Sequence, residues 1–279
     1  MNSMQGKYVW ICEIKYSENG DISKLAHKAK ELGLAGYIIK THDGTSVWQQ
    51  AQMIKNIKTY GLKCGAWGYC YGKNINGEIA AIRESISNGA DFYVADVEVE
   101  FENRNMRDAA EKLMLGIKDS SVPIGYTSFA IPNYHPLPYD IFSKYSKFAM
   151  PQIYWSYMRW PLEKAFNTSI QQYSQYKIPI YPIGQISGDA TPQEIQDFNA
   201  MCRAARTPVF SYWSYQGSNS VQLAAIRENY YKNLEDAVKL LHEKGIIESP
   251  EYWLQNAGPS GTVKGEFAAS LIIKMASKL

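Results

Sequence analysis

Short runs of apolar, β-branched and aromatic residues recur along the chain at 8–14 (YVWICEI), 36–41 (GYIIKT), 63–71 (KCGAWGYCY) and 92–99 (FYVADVEV). Four more follow at 123–129 (PIGYTSF), 147–155 (KFAMPQIYW), 178–185 (IPIYPIGQ) and 207–215 (TPVFSYWSY). Their length and composition predict buried strands. Stretches with helical spacing separate them, at 22–33, 48–60, 76–88, 105–118, 139–145, 161–176, 191–205 and 219–232. Gly33, Gly61 and Gly89 sit where a left-handed residue ends a helix. Thr191-Pro192-Gln193-Glu194 reads as an N-cap, a first-turn proline and an acid at the third helical position.

Eight strand–helix units predict an α/β chain folded as a (β/α)8 TIM barrel over residues 1–232. A doubly wound open sheet is the competing architecture, but no GxGxxG follows any predicted strand. Residues 233–279 break the pattern. They read as short helices interrupted at Gly245, Ser249-Pro250 and Gly258–Gly261, a small all-helical C-terminal module. Wall attachment, self-association or a clasp on the barrel are its expected roles.

Composition narrows the function. A net charge of +2, with no basic stretch interleaved with aromatics, gives no sign of a nucleic-acid partner. No apolar run approaches the ~20 residues of a membrane span, and the N-terminus lacks the charged-then-apolar pattern of a signal peptide. Synthesis in the cytoplasm is therefore expected. The four cysteines have neither zinc-site nor disulfide-framework spacing and read as buried free thiols. The unusual feature is the aromatic content, 21 Tyr and 7 Trp, many near predicted strand ends.

Active sites of such barrels lie at the C-terminal ends of the strands. The fourth predicted strand ends in Asp96-Val97-Glu98-Val99-Glu100. Strand alternation would turn the three acids inward and Val97 and Val99 toward the helices. Crowded carboxylates raise one another's proton affinity, so one can stay protonated beside an ionised neighbour. Acids two residues apart on a strand stand roughly 6–7 Å apart at the backbone, which suits glycoside hydrolysis. The bland reading has Asp96 capping a loop and Glu98 paired with Lys40. Other strand ends supply Lys40, His42 and Asp43, Trp67, Tyr69 and Tyr71, Tyr126 and Ser128, Gln152, Tyr154 and Trp155, Gln185, and Trp213 and Tyr215. Rings that stack on C–H faces, with amides and acids that read hydroxyls, suit an oligosaccharide. No HxH or HExxH pair points to a metal and no GxSxG elbow to a serine nucleophile; no cofactor is implied.

The series "IIKTHDG", "GAWGYCYG", "VADVEVE", "IGYTSF", "PQIYW" and "SYWSYQG" resembles the family-25 glycoside hydrolases, the lysozyme-type muramidases of bacteria and phages. More closely, it resembles phage and bacterial barrels regarded as muramidase-like, over roughly residues 8–217. The resemblance implies cleavage of peptidoglycan glycan strands, with Glu98 as general acid. Asp96 would orient or stabilise the substrate through its N-acetyl group. Lys40, Asp43, Trp67, Tyr69, Glu100, Tyr126, Gln152, Tyr154, Gln185 and Trp213 would form the substrate cleft. One departure stands out. The muramidases carry an aspartate on strand one, where this chain reads "WICEIKYS" with Glu13 the only nearby acid. A barrel that binds glycan without cleaving it, or a phage structural barrel, is therefore the alternative. A third is a barrel enzyme on another substrate, using the acids for proton transfer. The tail "AVKLLHEKGIIESPEYWLQNA" is similar to helical segments of phage-encoded and clostridial wall-lytic proteins. That similarity implies action at the cell wall after endolysin-like release, or within a phage particle.

Overall fold

Each apolar run forms a strand, and successive strands pair until the last closes on the first. In the computed structural model, residues 4–227, 234–258 and 261–277 are described. The strands are β1 (Gly6–Ile11), β2 (Gly36–Asp43), β3 (Ser46–Val47), β4 (Lys63–Cys70), β5 (Phe92–Val97), β6 (Ile124–Phe129), β7 (Phe148–Gln152), β8 (Ile183–Gln185) and β9 (Val209–Trp213). The sheet order is β1-β9-β8-β7-β6-β5-β4-β2-β3, and β1 also pairs with β2. The short β3 folds back antiparallel on β2; the other eight strands make a closed parallel barrel, as the (β/α)8 pattern predicts. The helices are α1 (Ile22–Glu31), α2 (Met53–Lys58), α3 (Ile75–Ser87), α4 (Arg107–Ile117), α5 (Tyr139–Tyr145), α6 (Trp155–Met158), α7 (Leu162–Ser174), α8 (Pro192–Ala204), α9 (Ser220–Ala224), α10 (Leu234–Glu243), α11 (Pro250–Asn256) and α12 (Gly265–Ala276). Thr191 caps α8 through the reciprocal bonds its sequence predicts: its side chain accepts from Glu194 N–H, and the Glu194 carboxylate accepts from Thr191 N–H.

Several boundaries differ from expectation. The helix expected over 219–232 is α9, Ser220–Ala224, and residues 228–232 of it lie outside those described. The run at 178–185 yields a strand only at β8, because Pro179 and Pro182 have no N–H to donate to a ladder. The helix expected over 48–60 is a 3-10 turn, Gln49–Gln52, leading into α2. Most consequential, β5 stops at Val97, and Val99 opens a 3-10 turn, Val99–Glu102. Val99 is exposed, not packed beneath a helix.

The barrel interior is filled by pairing large residues with small ones. Near the N-terminal ends, the Tyr8 and Phe92 rings meet edge to face at 5.4 Å, and Phe92 meets Phe148 at 6.2 Å. Phe92 is in register with Gly65 and Phe148 with Gly125. A Cβ on either glycine would lie 2.3 Å or less from the partner ring. Above this layer, Trp10, Trp67 and Trp213 form a three-way indole contact with centroids 5.5–6.1 Å apart.

The chain divides into two compact units, Met1–Glu228 and Asn229–Leu279. The second holds α10, α11 and α12, and α11 is joined to α12 by the Tyr252 and Phe267 rings at 4.7 Å and by the Lys264 N–H donating to Tyr252 Oη. Among the described residues, no helix is long and apolar enough to cross a membrane.

The packing of Gly65 gives a test. Gly65→Ala forces its methyl into the Phe92 ring, where neighbours on every side block escape. Overpacking of this kind costs about 1–3 kcal/mol, so thermal or urea unfolding should show a lowered midpoint with an unchanged native far-ultraviolet spectrum.

Candidate active site

Inward-facing residues near the C-terminal ends of β2, β4, β5, β7 and β9 surround the barrel mouth. Asp96 is the last inward residue of β5 and is only 6% exposed. Glu98 lies just past the strand, where φ −130° and ψ −140° turn the chain into the Val99–Glu102 turn. Both carboxylates accept from one donor: the Gln152 amide nitrogen at the end of β7 is 3.2 Å from Asp96 Oδ1 and 2.9 Å from Glu98 Oε1. Burial pushes the Asp96 carboxyl well above the usual carboxylate range. The Glu98 charge and a hydrogen bond between the two carboxyls push it further, against the opposing pull of Lys40.

Lys40 reaches the mouth from β2 but pairs with Asp43, Nζ to Oδ2 2.5 Å, and not with Glu98. Its ammonium lies 4.7 Å from the Trp48 ring centre and 5.1 Å from that of Trp67. Asp43 also accepts from the Tyr71 hydroxyl at 2.7 Å. Burial alone would raise Asp43, but the bonds from Lys40 and Tyr71 outweigh it and hold the carboxyl below its usual range. Glu100 turns to β4 and accepts from the Tyr69 hydroxyl at 2.6 Å. Burial and that bond raise the phenol's proton affinity. On the far side, Tyr154 and Trp213 stack with centroids 6.5 Å apart, and Trp213 touches Trp67. Burial and the nearby charges of Asp96 and Glu98 raise the Tyr154 phenol well above its usual value.

Asp96, Glu98, Gln152, Lys40, Asp43, Trp67, Tyr69, Glu100, Tyr154 and Trp213 thus gather around one mouth. Two expected cleft residues do not join them. Tyr126 is fully buried on the outer face of β6, its hydroxyl 2.8 Å from Ser143 Oγ on α5 and its ring against Phe142 and Tyr173. Strand alternation puts Gly125 and Thr127 inward and Tyr126 outward. Gln185 is also fully buried: its amide bonds Ser156 N–H, Ser156 Oγ and the Ser187 carbonyl, tying two loops together. Trp155 packs in the core against Phe198, and Tyr215 bonds Glu18. His42 is buried on the outer face of β2, with Nε2 2.6 Å from Tyr93 Oη and Nδ1 2.9 Å from the Gly44 carbonyl. Burial pushes its pKa down to about 4.

At the end of β1 the alternation Tyr8, Trp10, Cys12 brings a thiol to the mouth. Burial raises that thiol, with Lys40, Asp43 and Asp96 close enough to contribute. Glu13 is paired with Lys15 at 2.7 Å. Sequence reasoning passed over Cys12 and Trp48, and it offered Tyr71 as a strand-end ring without its bond to Asp43. Inward parity counted from Trp10 was the available signal for Cys12; only tertiary contact shows the other two. Two open hollows lie elsewhere on the flank, one lined by Arg83, Leu115 and Ser120 and the other by Asp140, Lys144 and Tyr176.

No protein-family model and no curated protein matches the sequence. Solved structures do match in fold. The spore cortex-lytic enzyme SleL of Bacillus cereus aligns with a TM-score of 0.61 and 10% identity, over 81% of this chain and 74% of its own. A chitinase of Chromobacterium violaceum aligns with a TM-score of 0.59 and 7% identity, over 80% of this chain and 98% of its own. A glycoside hydrolase family 18 chitinase of Flavobacterium johnsoniae aligns with a TM-score of 0.59 and 8% identity, over 80% and 92%. At these identities the likeness is one of fold: this chain has the (β/α)8 barrel on which those glycan-cleaving enzymes are built.

Proposed function

We propose that the protein hydrolyses glycosidic bonds in an N-acetylated glycan of the bacterial cell wall, with Glu98 as proton donor and Asp96 as its positioning partner. The observation that carries this reading is the carboxyl pair sharing one amide donor at a barrel mouth walled by aromatic rings. The likeness to a cortex-lytic enzyme and to chitinases supports the substrate class. Muramidase specificity and action after release, or within a phage particle, belong to the same proposal.

The spacing of the pair selects among mechanisms. Oxygens that both lie within 3.2 Å of one nitrogen are closer together than the roughly 6.5–9.5 Å of an inverting pair. Two carboxyls that share one amide donor also cannot flank a sugar ring from opposite faces. Of the other acids at the mouth, Asp43 is tied to Lys40 and Tyr71, and Glu100 to Tyr69. The arrangement suits the substrate-assisted route known among family-18 enzymes. Glu98 gives its proton to the glycosidic oxygen as the C1–O bond breaks, and the sugar's own N-acetyl oxygen bonds C1. Asp96 accepts a hydrogen bond from the amide N–H, which becomes more acidic in that step. Water then attacks C1, returns a proton to Glu98 and releases the N-acetyl group. This route needs no carboxylate on strand one, where Cys12 stands. If the strand-one aspartate of the family-25 muramidases is needed, the thiol at the end of β1 favours the second reading, a barrel that binds glycan without cleaving it.

Glu98→Gln keeps shape and hydrogen bonding but cannot donate the proton. It should lower reducing-sugar release from purified walls by a factor on the order of 10²–10⁴, while co-sedimentation with the walls persists. Co-sedimentation without release by the unaltered protein would move the conclusion to the binding barrel.

Asp96 gives a second test. Its carboxyl has a raised proton affinity in the folded state, so its contribution to stability is full below the unfolded value of about 4 and is lost as pH rises through the folded value. Asp96→Asn should therefore raise the melting temperature at neutral pH, remove that part of the pH dependence, and lower kcat. Melting curves collected from acid to neutral pH, beside the rate assay, check all three outcomes.

A further inference from the structure

Tyr157 is 58% exposed, yet it is held in place from behind. It lies on α6, directly after Ser156. The buried Gln185 side chain grips that turn: its Oε1 accepts from Ser156 N–H at 3.1 Å, and its amide nitrogen bonds Ser156 Oγ. The same nitrogen donates to the Ser187 carbonyl at 2.8 Å, and Ser187 Oγ lies 3.2 Å from the Tyr157 hydroxyl. The back of the ring rests on Gly188, whose φ of +60° suits glycine; a Cβ there would stand 3.0 Å from Tyr157 Cε1. An ordinary exposed tyrosine has no such support. This one has its ring plane fixed by a hydrogen bond, a glycine seat and a buried amide, with its other side open.

Ring contacts connect it to the barrel mouth. Trp67 meets Trp213 at 5.5 Å, Trp213 stacks on Tyr154 at 6.5 Å, and Tyr154 meets Tyr157 edge to face at 6.2 Å. The series runs from the indole cluster of the interior to α6, and its Tyr154 follows two residues after Gln152, the donor to Asp96 and Glu98.

We propose that Tyr157 is a fixed platform for a further sugar of the same glycan chain, outside the position where the bond is cut, so that the site takes polymer in preference to short fragments. A preset ring loses little conformational freedom on binding, and its apolar face matches the C–H face of a pyranose. Gln185 is then a positioning residue for this platform and not a cleft residue.

The inference rests on the glycan-hydrolase reading, and the test separates the two. Calorimetry would compare Glu98→Gln with Glu98→Gln/Tyr157→Ala and Glu98→Gln/Tyr157→Phe, none of which consumes ligand. The probes are short and long β-1,4-linked N-acetylglucosamine oligomers and soluble glycan chains from bacterial walls. Removal of the ring should weaken long-chain binding roughly tenfold and leave short-chain binding unchanged. The phenylalanine variant, which keeps the ring and loses only the bond to Ser187, should stay near the parent. Equal long-chain affinity with and without the ring would overturn the platform and leave the glycan reading intact. Equal weakening for short and long chains would also overturn it, by placing Tyr157 in the central site. No binding of any probe by Glu98→Gln would overturn both.

Discussion

Closure of the barrel is the constraint on which everything else depends. Because β1 pairs with both β9 and β2, none of the eight parallel strands keeps a free edge, and every second residue of each is committed to one shared interior. The lower part of that interior must be filled, and aromatic rings beside Gly65 and Gly125 fill it. Farther up, three indoles seal the core beneath the mouth. Whatever inward residue comes next along a strand stands at the boundary between a dry core and solvent. Asp96 is such a residue. Its raised proton affinity follows from its place on the strand together with the neighbour two positions on.

This position sets stability against chemistry. A carboxyl that is 6% exposed and faces another acid is unfavourable for folding, and an asparagine would fit the same space without that conflict. The same conflict raises the proton affinity of Asp96 at a solvated mouth, the kind of perturbed carboxyl that acid catalysis draws on. The surrounding structure limits the cost by giving both carboxylates a hydrogen-bond donor in Gln152.

The fold was legible in the sequence because two periodicities alternate without interruption, and four helix ends were marked, three by Gly33, Gly61 and Gly89 and one by the Thr191 capping box. The acid pair was legible for the same reason: residues two apart share a face. The errors arose where position near a strand end was read without parity. Tyr126 is beside the mouth in sequence and behind the wall in space, because Gly125 and Thr127 take the inward positions. Val99 was given strand alternation beyond the end of β5. On β2 the pairing with β4 shifts register between Lys40 and His42. Counting by twos from Lys40 through that shift would have turned His42 inward. Gln185 has the correct parity, but its amide is taken up by Ser156 and Ser187, a long-range contact that no local pattern announces.

The choice of partners around the pair completes the argument. A lysine bonded directly across two carboxylates would favour ionisation of both and remove the proton that the proposed acid catalysis needs. Lys40 is near enough to act on Asp96, yet its ammonium is drawn aside by Asp43, which Tyr71 holds in place, and settled over the Trp48 and Trp67 rings. The group that touches both acids is instead the neutral amide of Gln152. An amide fixes the carboxyls in space without supplying a charge that would strip their proton. The positive charge at this mouth is therefore placed to temper the acid pair while a neutral donor orients it, and that division of labour lets two acids share one strand end.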